Sequence, residues 1–391
     1  MKIAIPRERR ACEKRVAATP ETVKKYVGMG FEVLVEKDAG TASRYMDDQY
    51  VAAGASIIGS MQELYSQADI VLKVQRPLLA SEGGEDELGC MKSGALLLAV
   101  LSPYSAPEAL DAYAKQGVIA IALEFVPRIT RAQSMDVLSS QSNLAGYRAV
   151  LDAAYEYGRG FPMMMTAAGT IAPARVMVLG AGVAGLQAIA TAKRLGAIVS
   201  ATDVRPVAKE QVESLGGKFV MVESDELKDA ETAGGYAKEM SDDFKRKQAA
   251  LVAETLAKQD IAICTALIPG RKAPTLITDE MVHSMKPGSI IVDLAVEQGG
   301  NCTLSKPGEV VEVNGVKIVG HFNVPSRVAT DASALFAKNL LNYLTPHVKA
   351  GEGSVELALD WADEIVAASL LTRAGDIVHP NFAAPAAAAN Q

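Results

Sequence analysis

The chain has 391 residues, of which 49% are hydrophobic and 22% charged, and its formal net charge is −7. This length and composition predict a soluble globular protein of two ordinary domains. The acidic balance argues against nucleic acid or anionic lipid as a main partner. The longest apolar run, 95–101, is far too short to cross a bilayer, so any membrane connection is expected to come through a partner.

The cysteine usage and the N-terminus indicate the compartment. The four cysteines are far apart in the sequence and form no Cys-x-x-Cys pair. This spacing predicts a reduced, cytosolic chain without zinc, and no metal-binding residue is expected. The N-terminal residues MKIAIPRERR enter a strand directly and lack the apolar core of a signal peptide.

Strand and helix patterns alternate through the first 123 residues. A strand at 2–6 is followed by Thr19-Pro20, an N-cap with proline at the first helical position, which begins a helix that ends at Met29. The alternation predicts a first α/β domain without a glycine fingerprint. Its other predicted elements are strands at 31–36, 68–74, 95–101 and 118–123 and helices at 48–53 and 106–115.

A polar segment, Arg128–Asp136, comes next and shows neither a helical nor a strand period. The helix predicted at 140–157 then leads into a second α/β region. Ligand clefts usually open where two domains join, so the segment is a candidate site. An ordinary solvated loop explains its composition equally well.

The pattern around which the chain is organised lies at 175–205. A strand at 176–179 leads into the turn GAGVAG at 180–185, followed by a helix to Leu195 and a second strand at 197–201. The first glycine permits a tight turn, the second lets a pyrophosphate approach the backbone, and the third lets the helix pack closely on the sheet. The start of the helix offers free N–H groups to phosphates. Together these features predict a dinucleotide-binding site.

Asp203 bears on the choice of nucleotide. It lies eighteen residues after the last glycine, where a carboxylate can accept hydrogen bonds from both hydroxyls of the adenosine ribose. This acid favours NAD over NADP because it would repel a 2′-phosphate. Arg205 makes the choice less sharp, since an arginine nearby can accommodate that phosphate. NAD(H) is the expected cofactor.

The remaining elements complete the predicted fold class, which is α/β with two Rossmann-like domains. Each domain is expected to be a mostly parallel sheet flanked by helices, and two long helices near 140–157 and 328–344 would join them around a cleft. The first domain would comprise 1–136 and 328–391, and the NAD(H)-binding domain 137–327. The further predicted elements are strands at 219–222, 260–266, 289–294 and 316–319 and helices at 207–215, 244–258, 278–285 and 328–344.

An acidic stretch at 223–240 interrupts the second domain. It contains Gly234-Gly235 and one aromatic residue, Tyr236. A long loop with a glycine hinge beside an aromatic side chain suits a mobile lid that closes over a bound ring. A solvated charged face explains the same residues equally well.

Several of these segments resemble the superfamily of alanine dehydrogenase and the transhydrogenase N-terminal region. They are MKIAIPRE, RVAATP at 15–20, VLKV at 71–74, the glycine fingerprint and VDLA at 292–295. Two more segments, 128–136 and 201–206, resemble the NAD(H)-binding component of proton-translocating NAD(P) transhydrogenase. The resemblance covers nearly the whole chain, and it implies a homodimer within a membrane-associated complex.

The chain departs from alanine dehydrogenase at the position of the histidine that serves that enzyme as its acid–base residue. Arg15 and Lys73 match its substrate-binding Arg and Lys, but the His would fall near Ser102 and is missing, and Glu297 replaces an Asp. Reduction of an imine or ketone needs a proton donor beside the hydride. Hydride transfer between two nicotinamides changes no O–H or N–H bond at the reacting carbons, so it needs none. We therefore interpret Arg15 and Lys73 as relics of an ancestral substrate site.

The resemblance implies a role for each candidate residue. The residues expected to be catalytic, around the nicotinamide ribose and carboxamide, are Arg128, Gln133, Asp136 and Ser139, with Gln133 reaching toward the second nucleotide. The residues expected to bind the rest of the cofactor are Ile129, Gly180, Ala181, Gly182, Val183, Asp203, Val204, Arg205, Gly235, Tyr236, Thr265, Ala266 and Leu267.

The sequence-based hypothesis is the NAD(H)-binding component of a membrane transhydrogenase, active only with partner subunits. Hydride would pass directly between NAD(H) on this chain and NADP(H) on a partner subunit, coupled to proton translocation through a separate membrane-spanning subunit. The chain would be cytoplasmic and peripheral on the cytosolic face of the inner membrane. Two alternatives stay open: an NAD-dependent, alanine dehydrogenase-like amino-acid dehydrogenase, and a non-catalytic NAD-binding module.

Overall fold

The computed structural model describes residues 1–205, 207–222, 241–268, 270–351 and 354–383. The chain folds into two compact units. Unit 1 comprises Met1–Gln141 and Ser326–Gln391, and unit 2 comprises Ser142–Pro325. The domain borders expected from the sequence, after 136 and after 327, stay predictions of where separately folding domains begin and end.

Strands make up the centre of each unit. In the described part of the chain they are β1 (Lys2–Ile5), β2 (Glu32–Glu36), β3 (Ser56–Ile58), β4 (Ile70–Gln75), β5 (Leu96–Val100), β6 (Ile119–Ala122), β7 (Met164–Thr166), β8 (Gly169–Ile171), β9 (Arg175–Leu179), β10 (Ile198–Thr202), β11 (Lys218–Phe219), β12 (Ile261–Cys264), β13 (Ile290–Asp293), β14 (Val310–Val313), β15 (Val316–Val319), β16 (Val348–Gly351), β17 (Ser354–Leu357), β18 (Leu370–Arg373) and β19 (Asp376–Ile377).

Helices connect most of these strands. Among the described residues they are α1 (Pro20–Gly28), α2 (Asp47–Ala52), α3 (Met61–Gln67), α4 (Glu108–Gln116), α5 (Val137–Glu156), α6 (Val183–Arg194), α7 (Val207–Ser214), α8 (Asp242–Leu256), α9 (Asp279–Ser284), α10 (Ala329–Leu344) and α11 (Glu364–Ser369). Helix α1 begins where the sequence predicts, because Thr19 caps it through the Thr22 N–H. Within the described ranges, no helix combines the length and the apolar character needed to cross a bilayer.

Unit 1 is built on an eight-stranded sheet in the order β3-β2-β1-β4-β5-β6-β18-β19. The first six strands run parallel, β18 pairs antiparallel with β6, and β19 pairs antiparallel with β18. Successive side chains of β1 pack into hydrophobic clusters on opposite faces of the sheet, Ile3 and Ile5 on one face and Ala4 on the other. Because both faces are covered, the central strands β1, β4 and β5 are predominantly apolar rather than alternating.

Unit 2 contains a seven-stranded sheet in the order β11-β10-β9-β12-β13-β15-β14. All strands are parallel except β14, which pairs antiparallel with β15. The chain moves outward from β9 to β10 and β11 and then returns to place β12 on the other side of β9. This reversal is a topological switch point, and ligands of open α/β sheets bind at the carboxyl ends of the strands there.

The predicted α/β class with mostly parallel sheets flanked by helices is confirmed. Several elements were not predicted, among them α3, α11, the hairpin β7–β8 and the C-terminal strand β18. These are short, and β7 and β8 are exposed along their whole length, so no burial period marks them. The absence of a helical period in 128–136 was also misleading, since residues Thr130–Met135 form a 3₁₀ helix. A 3₁₀ helix this short has no amphipathic repeat to detect.

The first turn of α6 packs against α5 at a position that only glycine fits. A Cβ built on Gly146 of α5 would lie 2.0 Å from the Ala184 carbonyl oxygen, which belongs to the backbone. A contact that short forces one helix to shift. Gly146 therefore fixes how closely α5 approaches the start of α6.

We predict that Gly146→Ala lowers the free energy of unfolding by about 1–3 kcal/mol, because the added methyl group overpacks the contact between α5 and α6. Urea unfolding followed by circular dichroism measures the change. The matched control is Gly158→Ala, where a Cβ would meet no atom within 4 Å. Equal stability of G146A and wild type would contradict the packing described here.

Candidate functional site

The turn between β9 and α6 has the geometry that an anion-binding turn requires. Gly180 has φ +100°, which L side chains rarely adopt. A Cβ on Gly185 would lie 1.9 Å from the Gly180 carbonyl oxygen, so this position excludes any side chain. At Gly182 a Cβ would meet no atom within 4 Å, and the backbone is open to a ligand. The first-turn N–H groups of α6, a twelve-residue helix, therefore fit a pyrophosphate.

Asp203 follows β10, and its side chain, which is 8% exposed, hydrogen-bonds the same turn. Its Oδ2 accepts hydrogen bonds from the Ala181 N–H at 2.7 Å and from Arg205 Nη2 at 2.8 Å. Its Oδ1 accepts from the Arg205 backbone N–H and Nε, both at 2.9 Å. Burial alone would raise the pKa of Asp203, but the hydrogen bonds and charge of Arg205 outweigh it and hold the pKa below its ordinary value. Arg205 thus occupies acceptor positions that the sequence analysis assigned to ribose hydroxyls.

The segment after β12 lies against the glycine turn. Thr265 Oγ1 donates a hydrogen bond to the Gly180 carbonyl at 2.9 Å. Leu267, Ile268 and Val183 expose their side chains although all three are apolar. Val204, in contrast, is partly buried against Phe244. Strands β9 and β12 are neighbours, so Gly180 and Thr265 meet at the switch point of the unit 2 sheet.

The segment 128–139 in unit 1 is anchored at its end by a helix cap. Asp136 Oδ1 accepts from the Ser139 N–H at 2.8 Å and Oδ2 accepts from Ser139 Oγ at 2.6 Å, which caps α5. Asn339 of α10 donates to the Ser134 carbonyl at 2.8 Å. The side chains of Arg128 and Gln133 are exposed, whereas Ile129 packs against the unit 1 core. Asp136 and Ser139 are therefore fixed to each other, as far as the structure describes the segment.

Some predicted site residues lie outside the described residues. They are Gly235 and Tyr236, together with the whole stretch 223–240 that the sequence analysis interpreted as a lid. In the ranges that are described, no group of three or more His, Cys, Asp or Glu side chains could hold a metal ion.

Lys73 lies within a buried cluster of charges in unit 1. Its Nζ is 2.9 Å from Glu87 Oε1 and 3.2 Å from Glu8 Oε2, and all three side chains are buried. Burial raises the pKa of Glu8 to about 7, although the charge of Lys73 opposes that shift. The carboxylates of the chain itself therefore balance the charge of this lysine.

Arg15 is also buried and has its own carboxylate. Its Nη2 donates to Glu13 Oε2 at 2.7 Å, its Nε donates to Glu13 Oε1 at 2.9 Å, and its Nη1 donates to Gln141 Oε1 at 2.8 Å. Burial alone would raise the pKa of Glu13, but the charge and hydrogen bonds of Arg15 lower it to about 2. This bidentate pair is the strong geometry for an arginine and a carboxylate.

Ser102 is exposed and has φ +50°, and its backbone N–H donates to Glu124. Burial raises the pKa of Glu124 to about 7. Both carboxyl oxygens of Glu124 accept from backbone N–H groups, one from Leu101 and one from Ser102. The sequence does not point to Glu124, because its hydrogen bonds to the residues that follow β5 form only in the folded chain.

Comparison with known proteins gives the family. Residues 4–145 match the family described as "Alanine dehydrogenase/PNT, N-terminal domain", and residues 149–380 match "Alanine dehydrogenase/PNT, C-terminal domain". The chain belongs to the alanine dehydrogenase/PNT family. The resemblance found in the sequence is therefore confirmed.

Members of the alanine dehydrogenase/PNT family match almost the whole chain. A protein of Rhodospirillum rubrum, named as one portion of NAD(P) transhydrogenase subunit alpha, is 62% identical over 380 residues, which are 97% of this chain and 98% of that protein. A crystal structure of transhydrogenase from Sinorhizobium meliloti has a TM-score of 0.87 and 53% identity, covering 97% of this chain and 100% of that one. A solved L-alanine dehydrogenase has a TM-score of 0.79 and 28% identity, with 98% of each chain covered.

We predict that Lys73→Met lowers the free energy of unfolding by about 3–5 kcal/mol, because it leaves the carboxylate of Glu87 and the carboxyl of Glu8, whose pKa burial raises to about 7, buried without the ammonium between them. Urea unfolding at neutral pH measures the loss. The control is Lys92→Met, since Lys92 and Asp69 form a partly exposed ion pair at 2.6 Å. Such a pair is worth about 1 kcal/mol or less. Equal, small losses in both variants would contradict the structural importance of the Lys73 cluster.

Proposed function

We propose that this chain is the NAD(H)-binding component of a transhydrogenase. The observation that carries the proposal is the turn at 180–185, whose open Gly182 and free helix N–H groups fit a pyrophosphate next to the carboxylate of Asp203. The relatives named as transhydrogenases, which match this chain over nearly its full length, support the choice of reaction.

Each part of the nucleotide would have its own group of residues. Bound NAD(H) would supply the hydride or accept it at the nicotinamide ring. The first turn of α6, with Gly180, Ala181, Gly182 and Val183, would hold the pyrophosphate. Asp203 would accept hydrogen bonds from the hydroxyls of the adenosine ribose, which would replace those that Arg205 donates to it. The adenine and the floor of the site would be contacted by Val204, Arg205, Thr265, Ala266 and Leu267.

The nicotinamide end would be contacted by the segment 128–139. Arg128 and Gln133 have exposed side chains that can donate hydrogen bonds to a carboxamide or a ribose. Asp136 and Ser139 hydrogen-bond each other and can present a fixed acceptor and hydroxyl. Ile129 would add apolar contact, and Gly235 and Tyr236, which lie outside the described residues, stay predicted contacts of the nucleotide. These groups position a ring and exclude water, which is what hydride transfer between two nicotinamides requires.

The second nicotinamide would belong to a partner. Hydride would pass to or from NADP(H) on a separate NADP(H)-binding subunit, and a membrane-spanning subunit would couple the transfer to proton translocation. The words "subunit alpha" in the names of the relatives support an assembly of several subunits. The chain would then sit in the cytoplasm, peripheral on the cytosolic face of the inner membrane.

The alternative is an amino-acid dehydrogenase, which the fold similarity to L-alanine dehydrogenase favours. That reaction needs a group that can give a proton to the substrate. Ser102, close to where the histidine of alanine dehydrogenase would fall, cannot serve because a serine hydroxyl does not titrate near neutral pH. The carboxyl of Glu124 beside it is engaged by the backbone N–H groups of Leu101 and Ser102, one at each oxygen. Transhydrogenation needs no such group, so it remains the preferred proposal.

We also propose that two copies of the chain form a homodimer through the hairpin β7–β8. Met163 and Met165 are 61% and 78% exposed, and on the other face of the hairpin Met164 and its cross-strand neighbour Ile171 are each 39% exposed. Contiguous exposed apolar side chains mark protein–protein contacts. In the described sheets β7 pairs only with β8, so each has an edge that can pair with the same hairpin of a second copy.

We predict that Asp203→Asn raises the dissociation constant for NADH at least about tenfold, because a carboxylate makes stronger hydrogen bonds to ribose hydroxyls than an amide does. Fluorescence titration of NADH measures binding. Transhydrogenation, measured after addition of the NADP(H)-binding partner, should fall in parallel at limiting NADH.

The control is Asp260→Asn, whose carboxylate accepts from the Arg175 N–H at 2.8 Å at the amino end of the same sheet. This variant should keep the wild-type affinity for NADH. Oxidation of NADH by pyruvate and ammonia with this chain alone would contradict the proposed function and favour the dehydrogenase. Binding of NADH without turnover in either mixture would favour a non-catalytic module.

We predict that Met165→Glu converts the dimer to a monomer, because it places a charge at the centre of the exposed apolar hairpin. Analytical ultracentrifugation at micromolar concentration measures the mass. Val51→Glu changes another exposed apolar residue, on α2, which is 55% exposed, and this variant should remain dimeric. A dimer of unchanged stability in M165E would show that the hairpin is not the interface.

A further inference from the structure

Asn301 is a buried amide in unit 2 whose side chain is wholly satisfied by backbone groups. Its exposed fraction is 0%. Its Oδ1 accepts a hydrogen bond from the Ala266 N–H at 3.1 Å, and its Nδ2 donates to the Ala266 carbonyl at 2.9 Å. The second N–H of Nδ2 donates a hydrogen bond to the Pro274 carbonyl oxygen at 2.8 Å. The amide thus pairs with both polar groups of Ala266, as a neighbouring strand would.

This pattern fixes both the residue type and its orientation. Rotating the amide by 180° would set its NH₂ against the Ala266 N–H and its oxygen against two carbonyls. A carboxylate could accept from the Ala266 N–H but would repel the two carbonyl oxygens. A leucine of similar size would leave three partly buried backbone groups without this partner, which is costly. Asparagine is therefore the side chain that this position requires.

Asp293 holds Asn301 from the other side. Asp293 is the last residue of β13, and its Oδ2 accepts from the backbone N–H groups of Asn301 at 2.9 Å and Cys302 at 3.0 Å. Ser305 Oγ donates to the same oxygen at 2.7 Å. The Asn301 carbonyl in turn accepts from the N–H groups of Leu276 and Ile277. A continuous hydrogen-bond network therefore runs from the end of β13 to the residues after β12.

The network ends at the glycine turn. Ala266 directly follows Thr265, which donates to the Gly180 carbonyl at 2.9 Å. The next two residues, Leu267 and Ile268, are the exposed apolar pair at the switch point. Because Asn301 clamps Ala266 on both sides of its backbone, it sets the position of the residues on either side.

We propose that Asn301, supported by Asp293, is a positioning residue for the nucleotide site. It holds Ala266 so that Thr265 reaches the glycine turn and Leu267 borders the ligand. This inference rests on the proposed function, since it assigns Asn301 to the same site. Asn301 is fully buried, so it would act on the nucleotide through Ala266.

The test uses Asn301→Asp, which keeps the shape and makes the interaction with Ala266 depend on pH. Above the pKa of the introduced carboxyl, its charge faces the carbonyls of Ala266 and Pro274 and displaces the segment. Below that pKa, which burial raises, one O–H can donate to a carbonyl again. The ratio of the NADH dissociation constants, N301D over wild type, should be roughly tenfold or more at pH 8 and approach unity at pH 5.

The wild-type value at each pH removes the contribution of groups that both proteins share. The titratable groups of the network are Asp293 and Cys302, and Cys264 interacts with both. Both cysteines have a pKa raised above the ordinary value, first of all by burial, so neither thiol ionises in this range. A ratio of dissociation constants that changes with pH therefore reflects the protonation of the introduced carboxyl.

The matched control is Gln259→Glu, which introduces a buried carboxyl just before the amino end of β12. Gln259 is buried, and its Nε2 donates to the Thr255 carbonyl at 3.1 Å. Q259E should be destabilised yet bind NADH as the wild type does at every pH. If N301D does not fold, Asn301→Ser replaces it, and a raised dissociation constant in N301S with none in Q259E supports the proposal.

Two results would overturn the inference. A ratio near unity from pH 5 to pH 8, in a folded N301D protein, means that Asn301 does not position the site. Equal weakening of NADH binding in Q259E means that general destabilisation explains the effect. Failure of the wild type to bind NADH would instead overturn the proposed function, and this proposal with it.

Discussion

The contact between the backbones of Gly180 and Gly185 constrains everything else in unit 2. A side chain at position 185 would lie 1.9 Å from the Gly180 carbonyl oxygen, so α6 can begin this close to β9 only with glycine there. That closeness brings the N–H groups of the first turn to the carboxyl edge of the sheet. Thr265 then hydrogen-bonds the same carbonyl, and Asp203 hydrogen-bonds the next residue, Ala181. Three strand ends thus converge on one turn.

The parts of this arrangement that depend on local sequence were predictable. Glycine spacing, the apolar strand before it and the acid after the next strand are separate signals, and each reflects a steric or electrostatic need at that position. The alternation of strand and helix patterns likewise predicted mostly parallel sheets flanked by helices. Thr19-Pro20 predicted the start of α1 because capping is decided within one turn.

The parts that depend on the tertiary arrangement of side chains were not predictable. The hydrogen bonds that Arg205 makes to Asp203 through its backbone and its guanidinium were not predicted, because a separation of two residues does not encode that geometry. Asn301 hydrogen-bonds Ala266 across 35 residues of sequence. The only feature near Asn301 in the sequence that could mark it is the preceding Gly299-Gly300. The pairing of Lys73 with Glu8 and Glu87 also required the tertiary fold. Buried polar networks of this kind leave no period in the sequence.

The central claim is that the hydride carried by this chain goes to another nicotinamide and not to a small substrate. The most direct measurement follows deuterium from NADH labelled at the transferred C4 position, in the presence of NADP⁺ and the NADP(H)-binding partner. Mass spectrometry of the products should find the label in NADPH, with no exchange into water. Label found instead in alanine, when pyruvate and ammonia are present and the partner is not, would contradict the claim.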